Sequence, residues 1–241
     1  MEGKLRRAAV GIGLCLAMAG VATALAGETE RGLFHLGAGA KSTNAPTSLK
    51  FRVLYKNPTD PAGKPPAVTG AVFRLPRGLR IDTGALPRCT ATDAEIRALG
   101  RAACPEGSRV GGGRLVARTG TTGADRVRTD VVAFNGAEEL IEVVFFEGTN
   151  VVAGLDRLTI DRHVLTAHPP STPGGPPDGR TAVRRIFLEL PLQIGPAGRA
   201  YATTPRRCRA GVWRASASYE FADGGKTTVP SRTRCRSTSR D

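Results

Sequence analysis

Aromatic residues make up only 5% of this 241-residue chain, with one tryptophan, and histidine occurs three times. So thin an aromatic set leaves little from which to build a stacking platform for sugars or bases. Three dispersed histidines, His35, His163 and His168, offer few of the combinations that metals or nucleophilic triads use. The local signatures are missing as well. There is no H-E-x-x-H, no G-x-S-x-G, no C-x-x-C and no D-x-D-x-D-G calcium loop, and Gly111-Gly112-Gly113 is not followed by the Gly-Lys-Ser/Thr of a phosphate loop. Acid is in deficit too, with 21 Asp and Glu against 35 Lys and Arg, a formal charge of +14. The sequence therefore calls for no metal and no cofactor, and it specifies no reaction.

What is present begins at the N-terminus. Arg6-Arg7, the apolar run Ala8 to Ala26 and the closing Ala24-Leu25-Ala26 read as a secretory signal peptide spanning residues 1–26. A run of 19 residues could also cross a bilayer uncleaved, which would be the chain's one membrane contact. Gly11, Gly13 and Gly20 within the run, and Gly27-Glu28-Thr29-Glu30 after it, suit a peptidase better than a span. Cleavage discards Cys15 and leaves 215 residues with a formal charge of +12, since Lys4, Arg6, Arg7 and Glu2 leave together.

Four cysteines remain, Cys89, Cys104, Cys208 and Cys235, and an even count in an exported chain reads as disulfides. Of the three possible pairings, Cys89 with Cys104 and Cys208 with Cys235 each close a local loop. Chain entropy gives roughly 3 kcal/mol for a loop of about 15 residues and roughly 3.5 kcal/mol for one of about 27.

The texture of the mature chain is β. Apolar and β-branched runs recur at 48–55, 67–75, 109–118, 126–134, 139–146, 151–167, 181–192, 212–221 and 226–233. Asn135-Gly136, Asp178-Gly179 and Asp223-Gly224 between them tolerate positive φ and suit tight hairpins. Thr92-Asp93-Ala94-Glu95 is a capping box, which places one short helix between Cys89 and Cys104 with Ile96 and Leu99 on one face. The Gly111 to Gly113 run reads as a bulge or a flat strand start. The expected organisation is an all-β sandwich or jelly-roll-like domain over 48–235, preceded by a flexible leader at 27–47. A proline-rich loop interrupts it at 168–180, and a tail follows at 236–241.

The string Tyr201, Thr203, Thr204, Pro205, Cys208, Trp213, Phe221, Asp223, Gly224, Ser231, Cys235 resembles the ending of a group of exported proteins of high-GC Gram-positive bacteria. Leu75-Pro76, Gly78-Leu79, Asp82, Leu86-Pro87, Cys89, Cys104-Pro105, Ser108, Val110-Gly111 and Gly113 resemble their middle. The resemblance implies export, an all-β fold and the two local disulfides, and it carries no activity.

Two functional classes follow. In the first, a Cys208–Cys235 bond gathers Arg206, Arg207, Arg209, Arg232, Arg234 and Arg236 into a positive patch. The chain is then a non-catalytic envelope or extracellular protein binding an anionic cell-wall polymer or polyphosphate, with no specific nucleic acid. In the second, a secreted hydrolase assembles its site from separated strands. His163, read as a strand residue, and His168 are five positions apart and would face opposite ways. Glu139 and Glu147 share a face but lie roughly 26 Å apart, against about 5–9.5 Å for a glycosidase pair. Glu142 alternates with Leu140, Val144 and Phe146 on an apolar face, so it requires an arginine partner, an exposed edge or a raised pKa. Trp213, Tyr219 and Phe221 alternate on one strand face as core, and Asp156, Asp161 and Asp223 lack the spacing of a calcium loop. If the signal reading holds, N-terminal sequencing of the exported protein will begin at Gly27; an intact chain held in the membrane fraction would show the uncleaved anchor instead.

Overall fold

The computed structural model describes residues 27–237, so the signal segment and the last residues of the tail lie outside the described part. Fourteen strands and one short helix follow in order: β1 Gly27–Thr29, β2 Gly32–Ala38, β3 Leu49–Tyr55, β4 Val68–Arg74, β5 Arg80–Ile81, α1 Asp93–Leu99, β6 Arg109–Arg118, β7 Arg126–Asn135, β8 Glu139–Phe146, β9 Val152–Asp161, β10 Val164–Ala167, β11 Ala182–Leu190, β12 Ala202–Thr203, β13 Val212–Phe221 and β14 Lys226–Arg234. Twelve of the strands form one antiparallel sheet in the order β1-β2-β3-β11-β6-β7-β8-β9-β10-β4-β13-β14, and β5 pairs with β12. The fold is all-β, as its texture suggests.

The sheet curls until its two ends meet, giving a barrel-like sandwich. At the seam β2 lies alongside β14, joined mainly by side-chain hydroxyls, with one backbone bond just beyond the strand ends, rather than by a continuous ladder. The Leu36 N–H donates to Ser231 Oγ at 3.0 Å, the Thr233 hydroxyl donates to Leu36 O, and the Arg236 N–H donates to Lys41 O at 2.7 Å. Alternation sets the two faces. In β3, Leu49, Phe51, Val53 and Tyr55 point inward and Lys50 and Arg52 outward. The few aromatics are concentrated inside, where Phe34, Phe51, Tyr55, Phe73, Tyr219 and Phe221 meet at centroid distances of 5.0 to 6.5 Å, mostly edge to face. Trp213 is buried with them, and its Nε1 donates to Arg207 O at 2.9 Å.

The flexible leader expected at 27–47 is a correction. Gly32–Ala38 is a full strand paired with all of β3, and Phe34 and Leu36 are wholly buried. Its glycine and alanine content hid a period of two, with Phe34, Leu36 and Ala38 on the inner face. A second correction falls at 151–167, one run in the sequence but a hairpin of β9 and β10 in the fold. The turn is made by Arg162 in the left-handed region (φ 54°), so His163 sits in a turn and not in a strand. Asn135-Gly136 does join β7 to β8, yet the left-handed residue there is Glu138 (φ 56°). Asp223-Gly224 closes β13 to β14 with Gly224 at φ 79°, whereas Asp178-Gly179 turns within the proline-rich loop. The triple glycine starts β6 with a bulge between Arg109 and Gly111, and a Cβ on Gly113 would collide with Phe187 O of β11.

A second, smaller core lies on the outside of β7, β8 and β9. There Val132, Phe134, Ile141, Val143, Phe145 and Leu155 pack against Ile96 of α1 and the Cys89–Cys104 disulfide. The Thr92 capping box starts the helix as its sequence requires. Arg157 of β9 holds it down, donating to Asp93 at 2.6 Å, Glu139 at 2.7 Å and Ala91 O at 2.7 Å. Burying Ile96 is worth about 2 kcal/mol. At the other end of the chain Cys208 and Cys235 are bonded across a separation of 27 residues, beside the seam. Replacing both by serine should lower Tm by about 10 °C, from a loop-entropy loss of about 3.5 kcal/mol. Thermal unfolding checks this, and an unchanged Tm would show that the seam holds without the bond.

Candidate functional site

Strand alternation and the second disulfide together position the arginines singled out from sequence. Arg232 and Arg234 project from β14 between the buried Ser231, Thr233 and Cys235. Arg206, Arg207, Arg209 and Arg236 are exposed around the bond. Arg214 of β13, also exposed, lies directly opposite Arg232. Among the described residues none of the six pairs with an acid.

Sequence reasoning stopped at this patch, but the basic surface continues past the seam. Across the seam Leu36 is bonded by the residues on either side of Arg232, so Arg232 stands level with Leu36, one residue along β2 from His35, which begins a second row. His35 is opposite Arg52, Arg52 opposite Phe187, and Phe187 opposite Arg114. A neighbouring row carries Leu54, Arg185, Val116 and Arg128, and Arg118 faces Arg126. Partial burial, and after it repulsion from Arg118, Arg185 and Arg126, pushes the Arg184 guanidinium below its ordinary pKa. Arg184 and Arg118 are anchored by the 61–63 loop: Arg184 donates to Pro61 O, Ala62 O and Gly63 O at 2.7 to 3.1 Å, and Arg118 to Ala62 O at 3.2 Å. The nearby acids are partly engaged, Glu189 with Lys50 at 3.1 Å and Asp130 with Arg101 at 4.0 Å. Positions 52, 114–128 and 184–185 are far apart in sequence, and only strand register joins them. Arg126-Val127-Arg128 was the available signal, a strand start with arginine on every outward position.

The interior holds the other candidate. Among the described residues His35 lies in β2, His163 in the β9–β10 turn and His168 just beyond β10, so the three are spread over separate elements. Glu139 is taken by Arg157, and Glu147 lies beyond the far end of β8. Glu142 differs from them. Among the described residues it has no arginine partner. It points into the barrel directly opposite Asp156 of β9, and both line an apolar cavity of about 330 Å³. Burial first, and the Asp156 charge second, raise its pKa from 4.5 to about 7. Burial raises Asp156 as well, tempered by the N–H groups of Arg157 and His168 and by the His168 charge. The Tyr55 hydroxyl is pushed up by burial and then by these two acids.

Small residues, Ala71, Ala117, Ala153 and Gly154, form part of the cavity lining and leave space that longer side chains would fill. Strands β10 and β11 lie on different sides of the barrel, separated in the sheet by β6, β7, β8 and β9. The proline-rich segment that connects them therefore crosses the barrel end, and Pro169, Pro170 and Pro173 form part of the cavity wall. Lys64 fixes this segment. Only 5% exposed, it donates to Asp178 at 2.7 Å and to Gly175 O at 3.0 Å. No cluster of three metal-ligating side chains occurs among the described residues.

No protein-family model, curated protein or solved structure matches the chain. The acid pair yields one stability test. The folded protein keeps Glu142 protonated up to about 7, whereas the unfolded chain releases that proton near 4.5, so stability is lost as pH rises through that window. Wild type should lose up to about 3 kcal/mol between these limits through this group. Glu142→Gln should flatten the profile by a similar amount and be the more stable protein at pH 8. Urea unfolding at several pH values decides; a variant with the wild-type slope would place the proton elsewhere.

Proposed function

We propose that the protein is an exported, non-catalytic envelope or extracellular β protein that binds an anionic polymer, a cell-wall polymer or polyphosphate, along its arginine band. The observation that carries this is the band of outward residues formed by Arg214 and Arg232 on one side of the seam and by His35, Arg52, Phe187 and Arg114 on the other, with Arg185, Arg128, Arg118 and Arg126 beside them. Adjacent strands stand about 4.8 Å apart, so a chain laid across β14, β2, β3, β11 and β6 over roughly 20 Å can reach Arg232, His35, Arg52, Arg185 and Arg114 in turn. Two disulfides belong to an oxidising, extracytoplasmic compartment, where such polymers occur. Among the described residues no helix is long and apolar enough to cross a membrane.

Exposed ion pairs are each worth at most about 1 kcal/mol, so a single phosphate is held weakly and affinity comes from many contacts at once. Guanidinium groups suit this because they keep their charge and can grip two phosphate oxygens together. A second reading, a secreted hydrolase with a site assembled from separated strands, draws on the Glu142–Asp156 pair alone. It requires turnover of a chromogenic ester or glycoside that is lost in Glu142→Gln.

Long-chain polyphosphate should bind and orthophosphate should not. Affinity should fall steeply between 0.01 M and 0.1 M salt, as the Debye length shrinks from about 30 Å to about 10 Å. The double variants Arg207→Glu/Arg234→Glu and Arg114→Glu/Arg185→Glu should each weaken binding about tenfold or more, with Tm nearly unchanged. Salt-independent binding, or wild-type affinity in both variants, would leave the basic surface without this partner.

A further inference from the structure

The barrel interior carries chemistry that the arginine band does not use. Its cavity is walled by Leu115, Val144, Val183 and Ile186, and the acids that line it are Glu142 and Asp156. Directly opposed residues on antiparallel strands have Cβ atoms about 5 Å apart, so the two carboxyls can reach one bound group. We propose that this cavity binds a small lipophilic amine, its apolar body among the aliphatic walls and its ammonium between Glu142 and Asp156.

The choice of ligand follows from what surrounds the pair. From β9 comes Asp156 itself, from β3 the Tyr55 hydroxyl, and from the end of β10 His168, whose N–H and charge face Asp156. On the other side of Glu142, β7 presents Ala133. Neither lysine nor arginine side chains pair with either acid among the described residues. Two acids in an apolar chamber with no lysine or arginine between them are an unfavourable arrangement, and Glu142 is driven toward its neutral form. An ammonium brings three donors and a positive charge, and it satisfies both carboxylates in one step. A neutral apolar molecule would fill the space and leave the pair as it was; a carboxylate would be repelled by it.

Metal is a poor occupant, because the pair supplies two carboxylates and among the described residues no third ligand gathers there. An anionic head is the serious competitor. Arg118 and Arg184 stand next to the cavity-lining Thr119 and Val183, so the outer rim at this end is positive and would favour an anion at the mouth. The two occupants differ in sign, and pH separates them. Amine binding requires Glu142 to release its proton, so it strengthens as pH rises and expels a proton into the buffer. An acid would bind better as pH falls.

Calorimetry on the disulfide-bonded protein with octylamine, octanol and octanoate tests this at 0.15 M salt. Octylamine should bind at pH 8 and lose about tenfold in affinity by pH 5.5, with proton release measured in two buffers of different ionisation enthalpy. Octanol should bind more weakly and without pH dependence, and octanoate not at all. In Glu142→Gln the preference for amine over alcohol should vanish while octanol binding persists, which shows that the cavity is still formed. Asp156→Asn provides the same comparison if the first variant does not fold. Octanoate binding above octylamine, equal binding of amine and alcohol in wild type, or an undiminished amine preference in the variants would overturn the proposal.

Discussion

Closure of the sheet at the β2–β14 seam is the constraint on which the rest of the structure depends. Once the ends of a curled sheet meet, every strand has one face inside and one outside, and alternation assigns each side chain to a compartment. The seam is not a regular ladder. Ser231 and Thr233 supply hydroxyls to the backbone of Leu36, and the nearby Cys208–Cys235 bond limits how far the two edges can part. Polar residues facing inward on a core strand are otherwise a liability. Here they replace the hydrogen bonds that a paired strand would have made.

The same division sorts charge. Arginine, which keeps its proton under all ordinary conditions, occupies the outward positions, where hydration and salt soften mutual repulsion. Glu142 and Asp156 occupy inward positions and meet that cost by holding a proton to higher pH, with Glu142 at about 7. An arginine at position 142 could not have adapted in this way. A carboxyl can, because a single proton removes its charge. The interior pair is thus tolerated without a lysine or arginine partner among the described residues, and Glu142 responds to pH in the range where proteins work.

Much of this was legible in sequence wherever the signal was local. The helix could be read from Thr92 to Glu95, and the β class from its alternating runs. The disulfides could be read from two cysteine pairs that each close a short loop. Local signals failed where composition masked period, as at Gly32–Ala38, and where a turn used Arg162 instead of glycine. The wider arginine band was invisible for a different reason. Its members come from β13, β14, β2, β3, β11, β6 and β7, and their adjacency is a property of strand order, which no window of sequence contains. Glu142 falls between the two cases: its apolar face marked it as unusual, but its neighbour Asp156 could be named only after β8 and β9 were placed in register.

Topology also accounts for the proline-rich segment, whose composition said only that it could not be regular structure. A connection between neighbouring strands can be a tight turn, but β10 and β11 have four strands between them, so the chain must travel across the barrel end. Proline suits such a crossing because it fixes φ and needs no donor partner, which lowers the entropy lost when a long loop is held in one path. Lys64 then supplies the anchor. Its ammonium, buried beside Asp178 and the Gly175 carbonyl, cannot be left unpaired, so releasing the segment would strand a charge in the interior. The wall of the cavity and the path of the chain are therefore set by one requirement, the distance between two strands that are consecutive in sequence and far apart in the sheet.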